Sequence, residues 1–261
     1  MLLAVDVGNS ETSFGLFDGE VLVHHWRLTT SPRQTGDELL VLLHALLGSE
    51  GRSLRDVKHV ALCSVVPEVV PAYHALGKRL LDGEIRVIDH TTVPYLRILN
   101  LDPATVGPDR LVNAVAAAKL HGAPSIVVDL GTATTFDVIG KQGEYMGGVI
   151  APGILTAASA LFARGARLSR VEVKIPPRIV GRTTEESMQA GIFLGSVFAV
   201  DGLVRAIMKE AGFASGIPVV ATGGLATAVR DASETITVVD PDLTLTGIRI
   251  VCDLANRNRT H

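Results

Sequence analysis

Short apolar blocks, each closed by glycine, aspartate or asparagine, predict strands alternating with helices along most of the chain. Leu2–Val5 reads as a buried strand and Asp6-Val7-Gly8-Asn9-Ser10 as a turn. Thr12–Phe17 is a second strand, Asp18-Gly19 another turn, and Val21–Leu28 a third strand. Apolar residues then recur at helical spacing over Asp37–Leu47, with Gly48 placed to end the helix. His59–Val65 and Ile85–Ile88 are short strands around a helical stretch at Tyr73–Leu81. This alternation points to an α/β architecture with some parallel pairing.

The second half opens in the same way. Asp109–Leu120 reads as a helix, Ile126–Val128 as a strand, Asp129-Leu130-Gly131-Thr132 as a turn, and Thr134–Ile139 as a strand that turns at Lys141-Gln142-Gly143. Helices are predicted at Ile154–Ala163, Thr184–Ala211, Leu225–Arg230 and Leu243–Asn256, with a strand at Val219–Ala221 that ends in Thr222-Gly223-Gly224. The segments LLAVDVGNSETSFGLFDGE and IVVDLGTATTFDVIGKQGE, nearly half the chain apart, share one plan: apolar strand, Asp-x-Gly, small polar residues, apolar strand, glycine turn. A repeat on that scale suggests two copies of one domain type facing each other across a cleft.

Composition narrows the possibilities. With 261 residues, 47% apolar and 20% charged, the chain is long enough to bury a core unaided and corresponds to two domains or one large one. A net charge of −3 and 4% aromatic residues supply neither a basic field nor a stacking platform, so no nucleic-acid partner is expected. Cys63 and Cys252 lie in apolar runs and read as buried free thiols of a reducing cytoplasm. Asp6 interrupts the apolar start, with no basic segment ahead of it, so no signal peptide is read there. The most apolar window, Gly191–Met208, carries Asp201 and Arg205 and is expected not to span a bilayer. The eight histidines form no metal-ligand cluster. Arg164, Arg167, Arg170, Lys174, Arg178 and Arg182 make a loose basic run that reads as a solvated or intersubunit surface. Gly191 and Gly195, one helical turn apart, suggest close helix packing, including across a dimer interface.

Three glycine elements carry candidate chemistry. Each Asp-x-Gly turn puts a carboxylate at a strand end beside backbone that a ligand can approach closely. The turn N–H groups and the hydroxyls of Ser10, Thr12, Ser13, Thr132, Thr134 and Thr135 suit phosphate oxygens, and the carboxylate suits a hydrated Mg²⁺. Either hairpin alone also reads as an ordinary β-turn with an Asx hydrogen bond. Neither a P-loop nor a dinucleotide fingerprint is present. Ala221-Thr222-Gly223-Gly224-Leu225 ends a strand and opens a helix, with room for a flat ring or ribose, and reads equally as a tight turn. In Val106-Gly107-Pro108-Asp109-Arg110, Asp109 stands in the first turn of a helix, whose dipole favours an ionised carboxylate. It could accept a proton from an alcohol while Arg110 clamps an anion; helix capping with a solvated arginine is the other reading.

Together DVGNS, GPDRLVNA, VVDLGTATTFD, GGVIAPGI, GRTTEESMQAGI, ATGGLA and the closing DPDLTLTGI resemble the type III pantothenate kinases of the acetate and sugar kinase, Hsp70 and actin superfamily. The resemblance runs in order from Leu2 to about Ile250. It implies duplicated actin-like (ribonuclease H-like) α/β domains, divided here as 1–117 and 118–261, with a nucleotide cleft between them. It implies ATP-dependent phosphorylation of pantothenate to 4′-phosphopantothenate, the first step of coenzyme A biosynthesis. ATP would be bound by Asp6, Val7, Gly8, Asn9, Ser10, Glu11, Thr12, Ser13 and Thr132, with Asp6 holding Mg²⁺ through water. Asp109 would be the proton acceptor, and Gly107, Pro108, Asp109 and Arg110 would contact pantothenate. Asp129 would bind an activating K⁺ or NH₄⁺, and Thr184 would reach pantothenate from the other subunit of a homodimer. Members often carry a tyrosine ahead of an Asn-Pro pair; here Asn100 of Asn100-Leu101-Asp102-Pro103 takes the tyrosine's place in the pocket wall. A regulator that kept the fold without catalysis is one rival reading, and the presence of Asp6, Asp109 and Asp129 together speaks against it; a different kinase or phosphatase of the same superfamily is another, disfavoured by Gly107-Pro108-Asp109-Arg110.

Overall fold

The computed structural model of the chain describes residues 1–80, 85–93, 95–164 and 171–257. In chain order the elements are β1 (Leu2–Val7), β2 (Glu11–Asp18), β3 (Val21–Thr29), α1 (Gly36–Ser49), β4 (His59–Ser64), α2 (Val70–Leu80), β5 (Arg86–Val87) and α3 (Pro108–Leu120). They continue as β6 (Ser125–Leu130), β7 (Ala133–Ile139), β8 (Tyr145–Pro152), α4 (Ile154–Arg164), α5 (Thr184–Gln189), α6 (Gly195–Glu210), β9 (Val219–Thr222), α7 (Ala226–Ala232), β10 (Val238–Val239) and α8 (Leu243–Arg257). Leu81, the predicted end of the second helix, lies outside the described residues, as do Arg167 and Arg170 of the basic run.

The chain divides into two compact units, Met1–Ala116 with Leu243–His261, and Ala117–Asp242. The first holds a five-stranded sheet of order β3-β2-β1-β4-β5, in which β1 pairs antiparallel with β2 and parallel with β4. Its core joins Leu3 and Val5 of β1 to Leu39, Leu43 and Leu47 of α1 and to Tyr73 and Leu76 of α2. α1 starts at Gly36 rather than Asp37 because Thr35 caps it. The Thr35 hydroxyl accepts from the Glu38 amide at 3.3 Å while Glu38 accepts from the Thr35 amide at 2.7 Å.

The expected division assigned everything after 117 to the second half, whereas α8 returns to the first unit. It packs on β1, β4 and β2, and Gly247 lies so close to the Val112 carbonyl of α3 that a Cβ there would collide with it. Thr244 Oγ1 donates to Asn113 Oδ1 at 2.8 Å across the same helix pair.

The second unit repeats the plan. Its sheet has the order β8-β7-β6-β9-β10, so first, second and third strands form an antiparallel meander and the fourth and fifth add in parallel, as in the first unit. Strand β8 was not foreseen, because Gly147 and Gly148 break its alternation; neither was the two-residue β10. The predicted helix at Thr184–Ala211 is interrupted by a π-helical turn over Ala190–Leu194. Thr184–Glu210 is, contrary to expectation, long and apolar enough by length and composition to cross a membrane, with a mean hydropathy of 1.7. In the fold one face of it packs into the core of this unit, and a third of its apolar window is buried. Val197, Val200 and Val204 are buried against Ile126, Val128 and Phe136, and Asp201 anchors the loop at 233–235. Both cysteines are free and buried, as expected.

Candidate functional site

In the first unit the chemistry gathers where β1 and β4 end. Asp6 is half-buried there, in register with Ser13 of β2 on one side and Cys63 of β4 on the other. The turn beyond it is held by backbone and hydroxyl bonds. Gly8 N donates to Glu11 O at 3.0 Å, Thr30 N to Ser10 O at 3.0 Å, and Thr30 Oγ1 to Gly8 O at 2.7 Å. The Thr12 hydroxyl lies 2.9 Å from that of Thr30, so it is engaged inside the turn, while Asn9, Ser10 and Glu11 are exposed. The side chain of Val7 is buried, which leaves only its backbone to face a ligand. Thr30 was missed in the sequence; a threonine pair across neighbouring strands is the signal that could have found it.

Asp109 stands at the start of α3, half-buried, with Oδ1 accepting from the Arg110 amide at 2.9 Å. A Cβ at Gly107 would run into that same oxygen, which explains glycine in the turn. Burial raises the Asp109 carboxyl above the ordinary carboxylate range, and the Arg110 amide and guanidinium only partly offset it. Helix-dipole reasoning alone predicted an ordinary ionised acid; desolvation wins here. Asp6 and Asp109 both act on the fully buried thiol of Cys63. Burial and the two negative charges keep it protonated. Tyr73, also buried, has its hydroxyl pushed up by burial and then by the charge of Asp6. The first unit thus brings Asp6 and Asp109 into one neighbourhood. Asn100, on the segment leading to Gly107, has its side-chain oxygen buried with no hydrogen-bond partner among the described residues.

In the second unit the corresponding strand end carries Asp129, in register with Thr135 and Thr222. Gly131 N donates to Ala133 O at 3.0 Å, and Thr132 O accepts from Gly153 N at 3.2 Å and from Thr156 Oγ1 at 2.6 Å. Gly223, φ +89°, closes on the Asp129 carboxylate, so the third glycine element and the second hairpin converge at one strand end. Among the described residues no three His, Cys, Asp or Glu side chains group as a metal cage.

Thr184 lies apart from this strand end. It is exposed at the start of α5, on the rim of a cavity of about 710 Å³ lined by Phe136, Pro152, Leu161, Met188, Ile192 and neighbouring residues. Gly191 and Gly195 face open space rather than a packed helix, and Phe198 is exposed beside them. In the described part of the basic run, Lys174 pairs with Glu172 at 2.6 Å and Arg178 with Glu186 at 3.9 Å, as a solvated surface would.

The profile of the family described as type III pantothenate kinase matches residues 2–206. A type III pantothenate kinase of Streptomyces griseus is 45% identical over 257 residues, covering 96% of this chain and 97% of that protein. One from Syntrophotalea carbinolica is 45% identical over 251 residues, covering 96% and 98%. Among solved structures, the activator of 2-hydroxyisocaproyl-CoA dehydratase from Clostridium difficile, with bound ADPNP, superposes with a TM-score of 0.55 at 14% identity. That superposition covers 99% of this chain and 97% of that one, a likeness of fold.

Proposed function

The chain belongs to the type III pantothenate kinases, enzymes that use ATP to phosphorylate pantothenate in coenzyme A biosynthesis, and on that premise we propose how its residues divide the work. Asp109 takes the proton of the pantothenate primary hydroxyl. That oxygen attacks the γ-phosphorus, the bond to the β–γ bridging oxygen breaks, and ADP leaves. The observation that carries this role is the raised, half-buried Asp109 carboxylate fixed between Gly107 and the Arg110 amide. A carboxylate lifted toward the working pH is a better proton acceptor than an ordinary one. Gly107, Pro108 and Arg110 contact pantothenate, with the guanidinium on its carboxylate or on the phosphoryl group in transit. Asn100 lines the same pocket.

ATP phosphates meet the turn Asp6–Ser13 in the first unit, and the second unit offers Thr132 in its corresponding turn. At the first turn only Asn9, Ser10 and Glu11 are fully open, so binding there relies on backbone N–H groups more than on Thr12. The single half-buried carboxylate of Asp6 fits a Mg²⁺ that keeps most of its waters and takes phosphate oxygens as ligands. Asp129 fits a monovalent cation: Gly223 lets the backbone close on its carboxylate where a Cβ would collide, so carboxylate and backbone oxygens, the donors such an ion takes, gather at one strand end. Bound there, the two cations would neutralise phosphate charge, which is most of what phosphoryl transfer asks of a protein. The open glycine face of α5–α6, its exposed Phe198 and the apolar cavity support a homodimer in which Thr184 reaches the partner's pantothenate. The reading places the enzyme in the cytoplasm, without nucleic-acid or membrane partners.

The deciding experiment measures ATP consumption with pantothenate, with and without K⁺, beside the mass of the protein in solution. Pantothenate-dependent turnover stimulated by K⁺ in a dimer is expected. A K⁺-indifferent enzyme would remove the role of Asp129, and an active monomer that of Thr184.

A further inference from the structure

Cys63 is a buried thiol to which the scheme above gives no task. It lies fully enclosed one residue from the end of β4. Because β1 and β4 run parallel with Asp6 and Cys63 in register, their side chains leave the same face of the sheet side by side. The thiol lies in the field of the Asp6 carboxylate, and the charge of Asp109 reaches it as well. The second unit repeats the placement with a different residue. Asp129 of β6 is in register with Thr222 of the parallel β9, and Thr222 is 2% exposed. Each unit therefore sets a small buried S–H or O–H side chain next to the carboxylate that ends its central strand.

We propose that Cys63 is a positioning residue for phosphoryl transfer, its thiol fixing the orientation in which Asp6 meets MgATP. The inference rests on the reading of Asp6 given above. A carboxylate at a strand end can turn about its last torsion and has acceptor sites to spare. A buried donor that occupies one of them selects a single orientation and leaves the outward oxygen for the water shell of the ion. The donor must be small, because it is enclosed by the core, and it must not bring charge between Asp6 and Asp109. A protonated cysteine meets both conditions.

The test uses a Cys252→Ser background, in which Cys63 is the single thiol. In the ligand-free protein the infrared S–H stretch of Cys63 is expected below the free-thiol frequency, and Asp6→Asn should move it back toward that frequency. Cys63→Ala should lower kcat/KM for MgATP roughly tenfold while the KM for pantothenate stays in place. Cys63→Ser, which restores a donor, should recover most of that loss; a purely structural role would show neither the split nor the rescue. A free-thiol band unmoved by Asp6→Asn overturns the inference, and so does a Cys63→Ala enzyme with wild-type MgATP kinetics. If Asp6→Asn is crippled and Cys63→Ala is not, the inference alone fails. If Asp6→Asn itself keeps wild-type kinetics, the reading of Asp6 fails and takes the inference with it.

Discussion

Gly223 faces the Asp129 carboxylate so closely that a Cβ on it would stand 2.7 Å from Oδ1, and its φ of +89° is one that L side chains rarely adopt. Gly223→Ala therefore meets backbone strain and a collision at once. The expected cost is about 2 kcal/mol in urea unfolding. Asp129 would also be displaced, so the K⁺ concentration for half-maximal activity should rise. An alanine variant with wild-type stability and K⁺ response would show that the turn relaxes freely and that the tight fit has no bearing on the cation.

Asp109→Asn removes the proposed proton acceptor and leaves the shape of the side chain. Turnover should fall by ~10²–10⁴-fold with circular dichroism unchanged. Because burial penalises the charged carboxylate, the neutral amide should make the folded protein slightly more stable at neutral pH, read as a higher Tm. Near-normal turnover in this variant would rule out the assigned role.

The raised Asp109 carboxyl also sets a pH dependence. The base must be ionised to work, so kcat/KM for pantothenate should fall on acidification with an apparent pKa above the ordinary aspartate range. Folding linkage has the opposite sign. Between the unfolded and the raised folded pKa the native state binds more protons than the unfolded chain, so this group's contribution to stability declines as pH rises through that window. A pH–rate profile beside denaturant titrations at matched pH separates the two effects. An acid limb at the ordinary aspartate value would contradict the burial argument.

Asp201 is a buried acid on α6 with a structural task. Its carboxylate accepts from Ser233 Oγ at 2.6 Å, Thr235 Oγ1 at 2.7 Å, and the amides of Glu234 and Thr235 at 2.9 and 3.1 Å. Burial acts to raise its carboxyl, but these bonds outweigh it and hold the group below the usual range. The stability they bring is present above the unfolded pKa and lost as pH falls through the folded one. Asp201→Ala should cost about 3 kcal/mol in denaturant unfolding and loosen the loop before β10. Unchanged stability, or undisturbed amide exchange at Glu234 and Thr235, would show that the network is dispensable.

The hairpins at Asp6 and Asp129 were legible because Asp-x-Gly between two apolar runs constrains both the turn and the carboxylate locally. The start of the helix at Gly36 was legible to within a residue from the helical spacing of its apolar residues, while the Thr35–Glu38 capping box that sets it went unread. What escaped depends on distant partners. The apolar stripe of α8, with Leu243, Ile248 and Val251 buried, says that it packs on something, not that it packs on β1 and β4. Thr30 acts only through residues distant in sequence, Gly8, Ser10 and Thr12. Strand β8 hides behind Gly147 and Gly148, and the π turn at Ala190–Leu194 leaves the helical period almost intact. At Asp109 the residue and its place were legible; the sign of its shift was not, because burial is a property of the fold.

The place proposed for Asn100 in the pantothenate pocket would join stability and substrate recognition in one side chain. Its Oδ1 is buried with no donor among the described residues, and an unpaired buried acceptor costs the folded protein its lost hydration. Such a cost is tolerable where a ligand donor completes the bond, and pantothenate offers hydroxyl and amide N–H donors of the right kind. Asn100→Leu, close in volume and without the orphan acceptor, should therefore raise the Tm of the ligand-free enzyme while raising the KM for pantothenate about tenfold and leaving the KM for MgATP unchanged. Thermal melts with and without pantothenate read both halves together, since the stabilisation by ligand should shrink in the variant. A leucine variant that binds pantothenate as tightly as the wild type would mean that Asn100 faces away from the substrate. The buried oxygen would then be a defect of packing and not a waiting acceptor.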